Sequence, residues 1–334
     1  MPASAPAPLL AVRDLRTCFK TRSGVVAAVD GVSLELAHGE CLGVVGESGS
    51  GKSVTFASVM GLVRAPGWID RGSIVFDGRE LTGISEESYR ELRGRDIAMT
   101  MQDALTALNP ALTVGEQIIE VLLLHDASLP AGRRARMAAA REKAVEIVEL
   151  VGIPSARSRL GDYPHQFSGG MRQRIMIAIA LSCRPRLLIA DEPTTALDVT
   201  IQAQVLELIA QMRARLGMSV VLITHDLGVV AEYCERVAVM YAGQVVEAGP
   251  TREVIDRPRH PYTRGLLDSI PRLSQLERRI RPIEGQVPSL VDLPPECRFY
   301  SRCDRRSDAC RTPIAMRPIG GARQLRCILE EADA

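Results

Sequence analysis

No apolar run in this 334-residue chain approaches the eighteen or so residues that a membrane-crossing helix needs. The stretch Ile175-Met176-Ile177-Ala178-Ile179-Ala180-Leu181 is among the longest and ends quickly, so any membrane role has to come through a partner. The opening residues 1–8, Met1-Pro2-Ala3-Ser4-Ala5-Pro6-Ala7-Pro8, lack both the basic n-region and the long apolar h-region of a signal peptide. They read as a floppy tail, and the chain is expected to stay in the cytoplasm. Surplus charge is missing too. With 41 basic and 40 acidic residues the formal net charge is +1, which argues against a nucleic-acid binder driven by bulk electrostatics. Lysine is nearly absent: Lys20, Lys52 and Lys143 stand among arginines, a bias that gene composition explains without any role in phosphate recognition.

What is present is concentrated in one stretch. Gly46-Glu47-Ser48-Gly49-Ser50-Gly51-Lys52-Ser53 fits G-x-x-x-x-G-K-[ST] at every fixed position. The apolar run Cys41 to Val45 before it suits a buried strand, and Val54 to Met60 after it suits a helix, the context that a phosphate cradle requires. The glycines let the backbone curl into a nest of inward N–H groups, and the helix start adds its positive dipole end. Lys52 then reaches the β- and γ-phosphates, and the Ser53 hydroxyl completes the shell of a Mg²⁺ ion.

Length favours two domains. From Leu9 to Leu36 short apolar runs alternate with turn residues, as in antiparallel strands around Asp30-Gly31, and Ser73 to Phe76 belongs to the same small sheet. Phe19, upstream of the phosphate loop, is placed either to stack on an adenine ring or to serve as an ordinary half-buried strand residue. A strand over 96–101 leads to Gln102, after which apolar residues recur at helical spacing from Leu112 to Val151, with Gly152 as C-cap. This is a helical insertion, about 103–165. Ser168 is a candidate N-cap for a helix to Leu181, and Arg186 to Pro193 is a buried strand that ends in two carboxylates. A helix over 200–216 and a strand over 219–224 lead to His225, and a hairpin follows at Ala242-Gly243. Strands alternating with helices make the core mostly parallel α/β. Past Ile255 prolines interrupt any long element, so a second domain over 255–334 needs a staple to stay folded.

The chemistry follows from these positions. Asp191 is suited to hold Mg²⁺, and Glu192 to orient and deprotonate an attacking water. His225 is suited to fix that water beside a γ-phosphate, and Gln102 to reach both the metal and the water while linking the core to the insertion.

In order and spacing, residues 9–250 resemble the nucleotide-binding subunits of ATP-binding-cassette transporters. Ser168-Gly169-Gly170-Met171 is similar to that family's signature sequence and Ala196-Leu197-Asp198 to its D-loop; Gln102, Asp191-Glu192 and His225 match the Q-loop, Walker B and switch-histidine positions. Met171 stands where many members have glutamine, a departure common in peptide-type members, and Ala104 follows Gln102-Asp103 in a loop where relatives often carry a proline earlier. The resemblance implies a P-loop NTPase core with an N-terminal antiparallel β subdomain and a helical insertion. It also implies an ATPase using ATP and Mg²⁺, in which Ser168, Gly169, Gly170, Met171 and Asp198 complete the nucleotide site of a facing subunit. That subunit is a second ATPase, identical or homologous. Further implied partners are two transmembrane permease subunits and, through them, an extracytoplasmic solute-binding protein, which places the chain at the cytoplasmic face of the membrane with no nucleic acid. The competing reading is a soluble ATPase of the same family acting on ribosomes or nucleic acid. Such proteins carry tandem cassettes or a long coiled-coil insertion, and neither is present in this sequence.

The tail resembles the C-terminal extension of oligopeptide, dipeptide and nickel importer ATPases, through His260-Pro261-Tyr262-Thr263-Arg264-Gly265-Leu266-Leu267, Gly285 to Leu290 and Cys297-Arg298-Phe299. Its thiols Cys297, Cys303, Cys310 and Cys327 read C-x5-C-x6-C-x16-C, without the C-x2-C knuckle usual for zinc. In a reducing compartment disulfides are disfavoured. Four thiolates on Pro-rich backbone suit a structural [4Fe–4S] cluster, as some members of the subfamily carry, with zinc as the alternative. Arg298, Arg302, Arg305 and Arg306 are then expected to offset the cluster's charge.

Overall fold

The computed structural model describes residues 7–195, 197–269 and 283–329, apart from the side chains of Ala104 and Leu105. Most of the expected N-terminal tail, and Ala196 of the expected D-loop, therefore lie outside the described residues. The chain forms two compact units, one drawn from 1–37, 41–83 and 224–334 and the other from 38–40 and 84–223.

The first unit begins with β1 (Leu10–Thr21) and β2 (Gly24–Leu36) and continues through β3 (Cys41–Val45), α1 (Lys52–Val59), β4 (Gly67–Phe76) and β5 (Arg79–Glu80). Strands β1, β2, β4 and β5 form an antiparallel sheet in the order β2-β1-β4-β5, with Leu10, Val12, Leu15 and Ile74 buried. The Asp30-Gly31 pair is not the turn that its composition suggested. The chain reverses between Thr21 and Gly24, and β2 runs straight through Asp30. Pairing steps from Leu15↔Val32 to Arg16↔Asp30, which leaves Gly31, at φ +69°, as the extra residue of a bulge. A glycine that tolerates positive φ serves a bulge as well as a turn, so the dipeptide alone does not separate them.

The second unit holds α2 (Glu86–Leu92), β6 (Ile97–Thr100), α3 (Ala104–Ala107), α4 (Val114–His125), α5 (Arg133–Leu150), α6 (Ala156–Arg159), α7 (Gly169–Leu181), β7 (Leu187–Asp191), α8 (Val199–Leu216) and β8 (Ser219–Thr224). Strands β8, β7 and β6 lie side by side and parallel, and β7 is buried along its whole length, which accounts for its unbroken apolar text. Helix α4 opens with a capping box between Thr113 and Glu116. Helix α5 is capped by Val151 rather than by the expected Gly152, which follows the cap at φ +77°, the left-handed position where glycine is favoured after a helix.

After β8 the chain returns to the first unit with α9 (Leu227–Tyr233), β9 (Arg236–Tyr241), β10 (Gln244–Pro250), α10 (Thr251–Asp256), α11 (Pro261–Asp268), β11 (Arg317–Pro318) and β12 (Gln324–Leu325). Strand β9 runs parallel to β3, and the Ala242-Gly243 turn sends β10 back antiparallel. The C-terminal region joins this sheet through β12 on β10, giving the order β11-β12-β10-β9-β3. No described helix is long and apolar enough to cross a membrane.

One buried ion pair fixes the C-terminal region to β10. Glu247 is wholly buried, and its carboxylate accepts from the Arg323 guanidinium at 2.6 Å and from the backbone N–H groups of Arg259 and His260 at 3.0 and 2.9 Å. Arg323→Met leaves that carboxylate without its cation, and urea unfolding at pH 7 is expected to lose roughly 3–5 kcal/mol. A loss below about 1 kcal/mol, the usual worth of an exposed pair, would contradict this role.

Candidate functional site

Strand β3 delivers the chain into residues 46–53, and the packing there accepts only glycine at two positions. A Cβ on Gly46 would sit 2.1 Å from the Met240 carbonyl oxygen, and one on Gly51, at φ +97°, would sit 2.5 Å from the Ala28 carbonyl oxygen. Gly49, at φ +76°, has no atom within 4 Å of its hypothetical Cβ; its requirement is conformational. Helix α1 starts at Lys52 with no side-chain cap and no acidic residue in its first turn. Ser50 is buried and Ser53 is exposed. Lys52 is buried, and its ammonium donates to the carbonyls of Gly46 and Glu47 at 2.6 and 2.9 Å. Phe19 is half-buried on β1 and covers Gly67, where a Cβ would come within 2.5 Å of its ring.

His225, in the same unit, is exposed, and the neighbouring Asp226 caps α9 by accepting from the Gly228 N–H at 2.7 Å.

The second unit brings together two of the expected residues. Gln102 Nε2 donates to Glu192 Oε2 at 2.9 Å, and the Thr195 hydroxyl donates to the same oxygen at 2.9 Å. Glu192 has φ +44°, in the left-handed region that a non-glycine residue enters at a cost, and its N–H donates to Ile223 O at 2.9 Å. Asp191 is buried at the end of β7. Ser168 caps α7 by accepting from the Met171 N–H at 3.4 Å. Gly170 faces α8, where a Cβ would meet Ile201 Cγ2 at 2.5 Å, whereas a Cβ on Gly169 would lie no closer than 3.8 Å to Leu197. Helix packing is thus a second reason for that glycine. Asp198 caps α8 by accepting from the Ile201 N–H at 3.0 Å.

In the C-terminal region Cys303, Cys310 and Cys327 are buried, Cys297 is half-buried, and all four thiols are free. Burial pushes the Cys297 thiol up to about 11, and the Cys310, Cys327 and Cys303 sulfurs act on it in the same direction, which places the four within electrostatic reach of one another. Burial also raises the Cys303 and Cys327 thiols. Among the described residues no group of three or more His, Cys, Asp or Glu side chains could hold a metal ion. Three of the four arginines expected to offset a cluster have other partners. Arg298 donates to Asp30 and to the Ala242 carbonyl, Arg302 to Glu47, and Arg306 to the Ser301 carbonyl. Carboxylates distant in sequence claim Arg298 and Arg302, which a count of basic residues near the thiols does not reveal. The sequence reading also missed Tyr262, whose hydroxyl accepts from the Glu47 N–H at 2.9 Å.

Buried strand, glycine-built loop and uncapped helix, with a carboxylate pair closing a strand of a parallel sheet, define a P-loop ATPase. Comparison with known proteins sharpens this. The ABC transporter family profile matches residues 29–195, and the profile of the oligopeptide/dipeptide transporter C-terminal region matches residues 246–310. The oligopeptide transport ATP-binding protein AppD of Bacillus subtilis is 48% identical over 328 residues, covering 97% of this chain and 98% of that protein. The dipeptide transport ATP-binding protein DppD of Haemophilus influenzae is 45% identical, covering 96% of this chain and 94% of its own length. Among solved structures, a dimeric post-hydrolysis state of the ATP-binding cassette MJ0796 bound to ADP and Pi aligns with a TM-score of 0.64 at 25% identity, over 73% of this chain and 99% of that one. The chain therefore belongs to the ABC transporter ATPases, and it carries the C-terminal region of their oligopeptide/dipeptide branch.

Proposed function

We propose that the chain is the ATP-hydrolysing subunit of an importer for peptides or a related small solute. It works at the cytoplasmic face of the membrane with two permease subunits, a second ATPase subunit and, through the permease, an extracytoplasmic binding protein. The observation that carries the peptide reading is the C-terminal region. Its profile match and the relatives named for oligopeptide and dipeptide transport separate this chain from exporters and from soluble members.

The phosphate loop, residues 46–53, binds the phosphates of ATP through its backbone N–H groups, with Lys52 exchanging its loop carbonyls for phosphate oxygen. Phe19 is assigned to the adenine. Mg²⁺, when bound, neutralises phosphate charge, and the Ser53 hydroxyl, the Asp191 carboxylate and Gln102 are the oxygen donors assigned to it, a set suited to a hard cation. Glu192 takes the proton of the attacking water. The Gln102 and Thr195 hydrogen bonds and the strained backbone support this role, because they hold the Glu192 carboxylate in one orientation at the end of β7. His225 orients the γ-phosphate. Ser168, Gly169, Gly170, Met171 and Asp198 serve the nucleotide of the facing subunit. Closure of the pair moves the helices that follow Gln102 and so drives the permease.

We further assign the four C-terminal thiols to a structural [4Fe–4S] cluster. Three buried thiols and the half-buried Cys297, within mutual electrostatic reach, support it. Zinc is the alternative occupant of the same four thiols.

Proteoliposomes holding the assembled importer are expected to take up labelled peptide only with ATP. Glu192→Gln is expected to lower turnover about 10²–10⁴-fold while ATP binding persists. Near-normal hydrolysis by that variant would remove Glu192 as the base. Wild-type hydrolysis without uptake of any peptide, together with co-purification with ribosomes, would overturn the import reading. For the tail, anaerobically purified protein is expected to contain about four iron and four sulfide per chain. Stoichiometric zinc without iron would contradict the cluster.

A further inference from the structure

Glu47, the second residue of the phosphate loop, is gripped by the C-terminal region of its own chain. Its carboxylate receives a two-pronged ion pair from Arg302, Nη1 to Oε2 at 2.6 Å and Nη2 to Oε1 at 3.0 Å. Its N–H donates to the Tyr262 hydroxyl at 2.9 Å, and its carbonyl accepts from Lys52 at 2.9 Å. The whole Glu47 residue is thus fixed from both ends and through its side chain.

The two gripping residues are themselves immobilised. The Arg302 side chain is only 4% exposed, and its other donor contacts go to the Glu284 carbonyl at 3.0 Å, the Ile283 carbonyl at 3.2 Å and the Tyr241 hydroxyl at 3.3 Å. Its guanidinium lies over the Tyr241 and Phe299 rings at 5.7 and 6.0 Å. Tyr262 is fully buried, with ring centroids 4.6 Å from Tyr241 and 5.5 Å from Phe299. A buried arginine survives desolvation only when its donors are satisfied this thoroughly, and such a fork is a rigid support.

Two consequences follow for nucleotide binding. A carboxylate in the phosphate loop repels the polyphosphate of ATP unless a cation cancels it, and Arg302 is that cation. The direction of the loop's N–H groups depends on the backbone at its first residues, and the Tyr262 hydroxyl holds the Glu47 peptide while Lys52 is free to exchange partners. We propose that Arg302 and Tyr262 are positioning residues for the ATPase reaction, presetting the phosphate loop and cancelling the charge of Glu47, so that the C-terminal region is a working part of the nucleotide site. The inference rests on residues 46–53 being the phosphate site.

The test is equilibrium binding of a fluorescent ATP analogue with Mg²⁺ to the purified full chain, paired with thermal melting of each variant. Arg302→Met is expected to weaken binding roughly ten-fold, the order set by a unit charge left uncancelled in the same loop as a bound phosphate. The double variant Glu47→Gln with Arg302→Met is expected to regain most of that loss, a rescue that a merely structural arginine would not give. Tyr262→Phe, which keeps the ring packing, is expected to weaken binding a few-fold and to raise KM for ATP in the assembled importer with little change in kcat. Unchanged affinity in both Arg302→Met and Tyr262→Phe, with wild-type binding intact, overturns the proposal. So does an Arg302→Met loss that Glu47→Gln does not relieve. A wild-type chain that binds the analogue no better than Lys52→Ala overturns instead the assignment of the loop on which the proposal stands.

Discussion

Two backbone carbonyls pressing on one loop are the constraint from which the first unit is built. Met240 O and Ala28 O come so close to Gly46 and Gly51 that no side chain fits, and the loop is thereby moulded against β9 and β2. Hydrogen bonds continue the same arrangement. Gly243 N–H donates to Ser50 O at 2.9 Å, and Asp30 N–H donates to Gly243 O at 2.8 Å, so the β9–β10 turn is tied to both the loop and β2. Arg298 then bridges Asp30 and the Ala242 carbonyl, and Arg302 holds Glu47. The loop is a backbone surface held in shape from three directions, which is what a site reading phosphate through N–H groups requires.

The second unit solves a different problem. A carboxylate at the end of a buried strand has to be held in one orientation by donors around it. Glu192 is held by two neutral donors, Gln102 and Thr195, and by a left-handed backbone conformation that a non-glycine residue enters at some cost. Strand β7 anchors it, since five buried residues in register with β6 and β8 leave little freedom at Asp191. In the same unit the small residues 168–170 answer to two demands at once, because Gly169 opens α7 behind the Ser168 cap and Gly170 lets α8 approach.

The motifs were legible in the sequence because each packs its meaning into a few consecutive residues. The phosphate loop, the carboxylate pair after an apolar strand, Ser168 as a cap and the Ala242-Gly243 turn all fold locally as their text suggests. Asp30-Gly31 was misread because one backbone conformation serves both a turn and a bulge, and only the pairing register on β1 separates them. Arg302 and Glu47 were illegible for a different reason. They lie 255 residues apart, and nothing near either residue announces the other. Arginines close to four cysteines invited an explanation by local charge, whereas carboxylates brought in by the fold claim Arg298 and Arg302.

The most direct test of the account is ATP binding by Gly51→Ala, with far-UV circular dichroism to establish that the variant folds. If the nearness of the Ala28 carbonyl shapes the phosphate site, one added methyl group abolishes measurable binding in a chain whose secondary structure is unchanged. A folded Gly51→Ala chain that binds ATP as tightly as wild type would contradict it.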